Sequence, residues 1–303
     1  MEYLFSIIVI VGIYVILSSS FNLIIGYGGL ISIAHPIFFA MGAYTSGLIA
    51  RDFGVPIPLA IPLGGMVAMG MSILLSLPSL RVSGDYLLIA SIGFQLGLLQ
   101  IIKNMEFMGA SSGLSNIPGI ANDPTDRALY VLLVLAVACA VVWVIRWVIS
   151  GSYGRAVAAM RDDELAFRTL GRNAIWIKIA IFALGSGLAG IAGGLYAHYF
   201  RFVSPEQFDI LMSATILTMV VVGGMATTWG PVIGAILLQI LPQAITFLNI
   251  PPSVLGPLQG ILFTGLVLFF LFVRPGGFMG ATWTWRSPAT MRIAHQLRQK
   301  VAK

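Results

Sequence analysis

The chain has 303 residues, of which 58% are hydrophobic and 9% charged, with a formal charge of +6. A soluble domain carries about 25% charged residues, so this composition excludes an ordinary globular enzyme. It fits an all-α integral membrane protein, in which each crossing of a hydrocarbon core about 30 Å thick takes about 20 apolar residues. The positive excess sits in flanks and tail, which points to anchoring at the cytoplasmic face and to contact with membrane lipid rather than with nucleic acid.

From Tyr3 to Ala50 there is no Lys, Arg, Asp or Glu, which leaves room for two spans. The first apolar run begins at Tyr3, has no basic segment before it and is too long for a signal peptide core, so no cleaved signal is expected. It gives a first span at about 3–25. The second is interrupted, with Gly26-Tyr27-Gly28-Gly29 before it and His35-Pro36 near its start. Proline removes a backbone donor and glycine loosens the helix, so a broken or re-entrant segment is predicted here. Such backbone persists at membrane depth only where protein buries it or where it lines a cavity.

RDFGVP turns the chain, and residues 57–80 read as a third span. A short loop with Arg81, Ser83, Gly84 and Asp85 leads to a fourth at about 86–102, with Asp85 in its first turn, where the helix dipole favours an anion. Residues 103–127 are rich in Gly, Ser, Asn and Pro and read as a loop. A fifth span at about 128–146 follows, then a charged stretch at 150–178, then a sixth span at 179–200. From Ile210 to Val273 formal charge is again missing, which is room for three more spans, with breaks at Gly223–Pro231 and Asn249–Pro257. The total is about eight to nine transmembrane helices in a single domain, 1–303. Cys139 is alone, which excludes an internal disulfide, and its apolar run predicts a buried small hydrophobe.

Orientation follows from the distribution of Lys and Arg. The tail 274–303 carries Arg274, Arg286, Arg292, Arg298, Lys300 and Lys303 with no acid, and is predicted to be cytoplasmic. Four spans separate it from the Arg-rich stretch 150–178, so both fall on one side. That count places 103–127 outside and the Arg81 loop inside.

Several motifs are excluded. Gly185, Gly187 and Gly190 match GxGxxG, but the nucleotide motif follows a strand and opens a helix, whereas this one lies inside an apolar run. With Gly193 and Gly194 it predicts close packing between membrane helices. No P-loop, no HExxH and no paired cysteines occur, so no metal site is expected and any nucleotide chemistry belongs to other chains. His35 has no carboxylate near it in sequence and is expected to be a hydrogen-bonded structural histidine at the helix break. The uncharged runs lack the buried carboxylates of proton-coupled transporters.

The stretch 150–178 carries Arg155, Arg161, Asp162, Asp163, Glu164, Arg168, Arg172 and Lys178 between two apolar runs. Val157, Met160, Phe167 and Leu170 recur at helical spacing, Gly171 supplies a stop, and Glu164 pairs with Arg168 at i,i+4. An amphipathic helix on the bilayer is one reading. Three consecutive acids would be repelled by anionic headgroups, so docking into a partner's groove is preferred, with the apolar stripe as grip and the charges setting register.

Several segments together resemble the LivM-type permeases of branched-chain amino acid ABC importers. They are GYGGLISIAHPIFFAMGAYTSGLI, RVSGDYLLIASIGF, GASSGLSNIPG, GRAVAAMRDDELAFRTLG, VSPEQF and MVVVGGMATTWGPVIGA. The resemblance covers roughly residues 20 to 240. The generic Glu-Ala-Ala then Gly coupling motif of ABC permeases appears loosely, as Glu164, Ala166 and Gly171, with Leu165 departing from it.

This resemblance implies the ABC importer permease fold in a bacterial inner membrane, a non-enzymatic transport subunit for branched-chain amino acids. It implies a second homologous permease, two cytoplasmic ATPase subunits that bind ATP-Mg, and an extracytoplasmic solute-binding protein, with no cofactor in this chain. The residues expected to meet the ATPase are Arg155, Met160, Arg161, Asp163, Glu164, Phe167, Leu170 and Gly171. The expected translocation path takes Gly26, Gly28, Gly29, His35, Thr218, Gly223, Gly224 and Trp229 from the helix breaks and polar positions. Urea, short amides or sugars are alternative cargoes for the same fold, and an intramembrane enzyme built on His35 is the alternative of another class.

Overall fold

A computed structural model describes residues 2–79, 85–119, 124–246, 264–265, 268–269 and 276–279. The Arg81 loop, the Asn249–Pro257 break, all but four residues of the span expected after it and nearly all of the basic tail lie outside these residues. Among the described residues the structure is helical, with one isolated antiparallel bridge between Leu114 and Val203. Ten α-helices run in chain order: α1 Glu2–Asn22, α2 His35–Asp52, α3 Ile57–Ser79, α4 Asp85–Asn104, α5 Pro124–Ser150, α6 Ser152–Asp162, α7 Glu164–Thr169, α8 Ala174–Phe200, α9 Ile210–Gly223 and α10 Gly230–Thr246. Among the described residues five segments are long and apolar enough to cross a membrane: Tyr3–Tyr27, Ile57–Ser76, Tyr86–Asn104, Asp126–Ser150 and Ala174–Phe200. α9 and α10 are shorter apolar helices.

Glycine organises the centre. α8 packs between α2 and α3 because its small residues let backbones meet. A Cβ on Gly193 would run into the carbonyl of Phe39, one on Gly194 would lie 3.2 Å from Ser46 Oγ, and one on Gly187 would lie 3.0 Å from Met69 Cε. Gly42 abuts the backbone of Gly190, and Gly190 abuts Ala68 and Gly65. Gly185 faces Ile24 of the turn after α1. The GSGLAG stretch is thus a helix-packing surface, as its place in an apolar run predicts.

The interruption near residue 30 differs in detail from the expectation. α1 continues through a π-helical turn, Leu23–Tyr27, and the chain is irregular from Gly28 to Ala34. His35-Pro36 does not break a helix; it begins one, with Pro36 in the first turn of α2, where a missing N–H leaves no helical bond unmade. Gly28, Leu30, Ser32 and Ala34 of this segment are buried while Gly29 and Ile31 are exposed, and side chains bond its Ile33 backbone: Ile33 N–H donates to Ser91 Oγ at 2.9 Å, and Ser213 Oγ donates to the Ile33 carbonyl at 2.6 Å. Gln95 Nε2 donates to the Phe208 carbonyl at 3.3 Å, so the starts of α2 and α9 are stitched to α4.

At one end of the bundle Leu114 and Val203 exchange N–H···O bonds of 2.7 and 3.0 Å. His198 ties this end down, with Nε2 2.9 Å from Ser46 Oγ and Nδ1 2.7 Å from the Pro118 carbonyl. The fifth span starts earlier than expected because Pro124 opens α5, proline being suited to a first helical turn. Cys139 is exposed rather than buried. It lies in an apolar groove of about 400 Å³ between α1, α5 and α10.

Candidate functional site

The charged stretch folds as a helical hairpin, α6 and α7, at the opposite end from His198. A single helix was expected, but Asp163 stops α6 in extended backbone (φ −153°) and caps α7, accepting the Ala166 N–H at 2.9 Å. The three acids therefore do not sit mid-helix: Asp162 ends α6, Asp163 is the junction, and Glu164 opens α7, where the dipole favours it. Gly171 adopts φ +75° just past α7, the left-handed stop expected from its position. Asn173 caps α8 by accepting the Ile175 N–H at 3.0 Å.

Glu164 holds two cations. Its Oε1 accepts from Arg168 Nη2 at 2.6 Å, the predicted i,i+4 pair, and its Oε2 accepts from Lys178 Nζ at 2.7 Å. Lys178 is buried, 7% exposed at the side chain, and the carboxylate supplies its counter-charge. Partial burial pushes the Glu164 carboxyl up, but the Lys178 hydrogen bond and charge, helped by Arg168, outweigh that and hold it below the usual range.

The apolar stripe faces inward. Val157, Met160 and Phe167 are buried, Met160 and Phe167 packing with Ala174 against Ala156 and Ile177. These side chains seat the hairpin on its own bundle and leave no grip for another molecule. That corrects the expectation for Met160 and Phe167. The outward apolar groups are Leu165, 76% exposed, and Leu170, 80% exposed. Leu165, the departure from the generic motif, thus lies on the outer surface. Arg155 is exposed and donates to Ser152 Oγ at 2.9 Å.

Arg161 turns the other way. Its guanidinium Nη1 donates to the carbonyl of Gly26 inside the π-helical turn. Its aliphatic stem runs beside Gly29, where an added Cβ would stand 3.0 Å from Arg161 Cγ and φ is +65°. The Gly26–Gly29 turn therefore sits directly on the hairpin. Asn22 extends the contact, its Oδ1 accepting the Ala226 N–H at 2.9 Å and its Nδ2 donating to the Thr227 carbonyl at 2.9 Å. Nothing in the sequence reading singled out Asn22. Its signal was an amide inside an otherwise uncharged span, where polar groups are costly unless partnered.

The residues expected along a path fall at several places in the fold. Gly26, Gly28 and Gly29 form the turn against α6. Gly223 and Gly224 are buried packing glycines, Gly223 against the carbonyl of Gly230. His35 is buried at the start of α2, its Nε2 3.0 Å from Ser20 Oγ and its ring 4.9 Å from that of Phe21. Thr218 Oγ1 donates to the Ala214 carbonyl within α9 at 2.8 Å. Trp229, 53% exposed, lines the outer groove with Val15, Arg146 and Val232. No group of three or more metal-ligating side chains occurs among the described residues.

The family model described as "Branched-chain amino acid transport system / permease component" matches residues 3–271. The high-affinity branched-chain amino acid transport system permease protein LivM of Salmonella typhimurium is 31% identical over 297 residues, covering 89% of this chain and 68% of the relative. The probable LivM of Methanocaldococcus jannaschii is 25% identical, covering 88% of this chain and 90% of the relative. The LivH permease of Salmonella typhimurium is 19% identical over 88% of this chain and 91% of the relative. No solved structure matches the chain.

Proposed function

This chain belongs to the branched-chain amino acid transport system permease-component family, and from that premise we propose that it is one membrane half of an ATP-driven importer for branched-chain amino acids. A second, related permease completes the pathway, two ATPase subunits dock on the α6–α7 hairpin from the cytoplasm, and a binding protein delivers substrate on the opposite side. Two distinct relatives of one organism, LivM and LivH, are both named as permease proteins of a high-affinity branched-chain amino acid transport system, which supports a second permease.

One observation carries the coupling role: a charged hairpin, seated by buried Val157, Met160 and Phe167, presents Leu165, Leu170, Arg155, Asp163 and Arg168 outward from an otherwise apolar bundle. An outer surface that combines apolar anchors with fixed charges suits a soluble partner's groove. Hydrolysis of ATP belongs to that partner, and this chain converts its closure into a change between outward- and inward-open states. A cargo with an apolar side chain on a zwitterion suits a pathway without fixed charge.

Uptake of labelled leucine, urea and ribose into proteoliposomes holding the full complex, with and without ATP, tests the reading. ATP-dependent accumulation of leucine alone is expected. Urea or ribose transport would reassign the cargo, and no ATP dependence would end the proposal.

A further inference from the structure

The hairpin is joined to the bundle at a polar contact as well as by its apolar stripe, and the position of that contact matters. Gly26 lies in the turn where α1 stops being an α-helix, and its carbonyl accepts from Arg161. The next stretch, residues 28–34, leads to the start of α2. On its other side Gly26 is pressed against the α9–α10 connection, since a Cβ there would stand 2.8 Å from the Ala226 nitrogen. Asn22 bonds the same connection through both Ala226 and Thr227. One guanidinium therefore touches the point where the end of α1, the lead into α2 and the turn between α9 and α10 meet.

We infer that Arg161 is the positioning residue that makes the α6–α7 hairpin, the Gly26–Gly29 turn and the Met225–Thr228 connection move as one body. The inference rests on the proposed function, for which it names the transmitting contact. Displacement of Leu165 and Leu170 by a partner then reaches the ends of α1, α2, α9 and α10 through a planar, permanently charged group with several fixed donors. Val157 and Met160 already anchor α6 by burial, so the polar contact is not needed merely to hold the helix down. The hydrogen bond opposes parting of the hairpin and the turn, and the stem lies beside Gly29, where a side chain in place of glycine would meet it.

The test uses the complete importer in proteoliposomes, with ATP hydrolysis and labelled leucine uptake measured on the same preparation. Arg161→Gln is expected to assemble and to hydrolyse ATP while leucine moved per ATP falls roughly tenfold, the effect of losing one charge-assisted hydrogen bond. Arg161→Lys, which keeps the charge and the stem, restores part of the ratio. A second readout needs no change at Arg161: spin labels at Ala159→Cys and Ile31→Cys, with Cys139→Ala, report the distance from α6 to the turn.

That distance is expected to be the same with and without ATP while Arg161 is present, and to become nucleotide-dependent in Arg161→Gln. An unchanged leucine-to-ATP ratio in Arg161→Gln, or a distance that shifts on ATP with Arg161 in place, overturns the inference and leaves the permease reading standing. Absence of ATP-driven uptake by the unaltered complex sinks that reading instead. If Arg161→Gln does not assemble, the label distance in the Arg161 protein decides alone.

Discussion

Lys178 Nζ lies 2.7 Å from Glu164 Oε2, joining the first turn of α8 to the first residue of α7. The ammonium is nearly enclosed, so its charge depends on that carboxylate. Removing the carboxylate charge strands a buried cation, which costs more than a surface pair is worth. Glu164→Gln should loosen α7 by about 2 kcal/mol, the scale of a hydrogen bond to a charged group. Amide hydrogen exchange in α7 and the first turn of α8 checks it. Because the carboxyl is held below its ordinary value of 4.5, its stabilising contribution is complete above that pH and is lost as pH falls through the lower folded value. Protection of α7 should be flat from neutral pH down to about 4.5 and then drop, and the drop should be missing in Glu164→Gln.

A second prediction separates glycines that look alike in sequence. Gly42 abuts the Gly190 backbone, whereas Gly93 has nothing within 4 Å of where a Cβ would stand. Gly42→Ala must therefore push α2 from α8, an overpacking cost of about 1–3 kcal/mol. Gly93→Ala adds a methyl to open space on α4 and removes a helix-weakening glycine. Thermal unfolding in detergent should fall for Gly42→Ala and hold or rise for Gly93→Ala. Equal destabilisation by both would contradict the packing described here.

The five long membrane segments were legible because their signal is long: twenty apolar residues with little charge leave few alternatives, whereas the total of eight to nine spans is not settled by the described residues. The glycine-rich seam of α8 was legible for a similar reason, since five glycines in one apolar run have few other uses. What failed was local. The stretch around Asp163 has helical spacing on both sides, and only the capping geometry of Asp163 reveals two helices. The direction of the apolar stripe was also hidden, because periodicity says that a face is buried but not by which molecule. Partners distant in sequence were out of reach: no local pattern links Arg161 to Gly26, Glu164 to Lys178 or Asn22 to Ala226. The fold class thus followed from composition and pattern, while the contacts that tie the hairpin to the bundle needed coordinates.

The exposed apolar pair on the hairpin supports a third prediction. Leu165 and Leu170 are in contact with little of their own chain, so replacing them should not affect folding. If the ATPase grips this surface, Leu165→Asp and Leu170→Asp each remove an anchor and introduce a charge into the groove that receives it. Co-purification of the ATPase should weaken at least about tenfold for the double variant, as for loss of a central anchor. Met160→Ala should instead lower thermal stability, because it hollows the small core beneath the hairpin. Full retention of the ATPase by the double variant would move the docking surface elsewhere.

Asn22 allows the last contact to be dissected by chemistry. The side chain is buried, and its two functions are divided: Oδ1 accepts from Ala226, while Nδ2 donates to Thr227. Asn22→Asp keeps the acceptor, loses the donor and places a carboxylate where water is scarce, so it leaves the Thr227 carbonyl without that donor and adds a desolvation cost. Asn22→Ala loses both bonds and leaves two backbone groups without this partner, at about 1–3 kcal/mol for each group left unsatisfied. Both should increase proteolysis in the Met225–Trp229 connection and lower the unfolding temperature. Asn22→Ser is the informative comparison: it is too short to reach both groups and adds no charge. If proteolysis at the connection stays at the native level in all three variants, Asn22 does not hold the α9–α10 turn. If Asn22→Asp is the worst of the three, desolvation of the carboxylate outweighs the lost geometry; if Asn22→Ala is, the paired hydrogen bonds dominate.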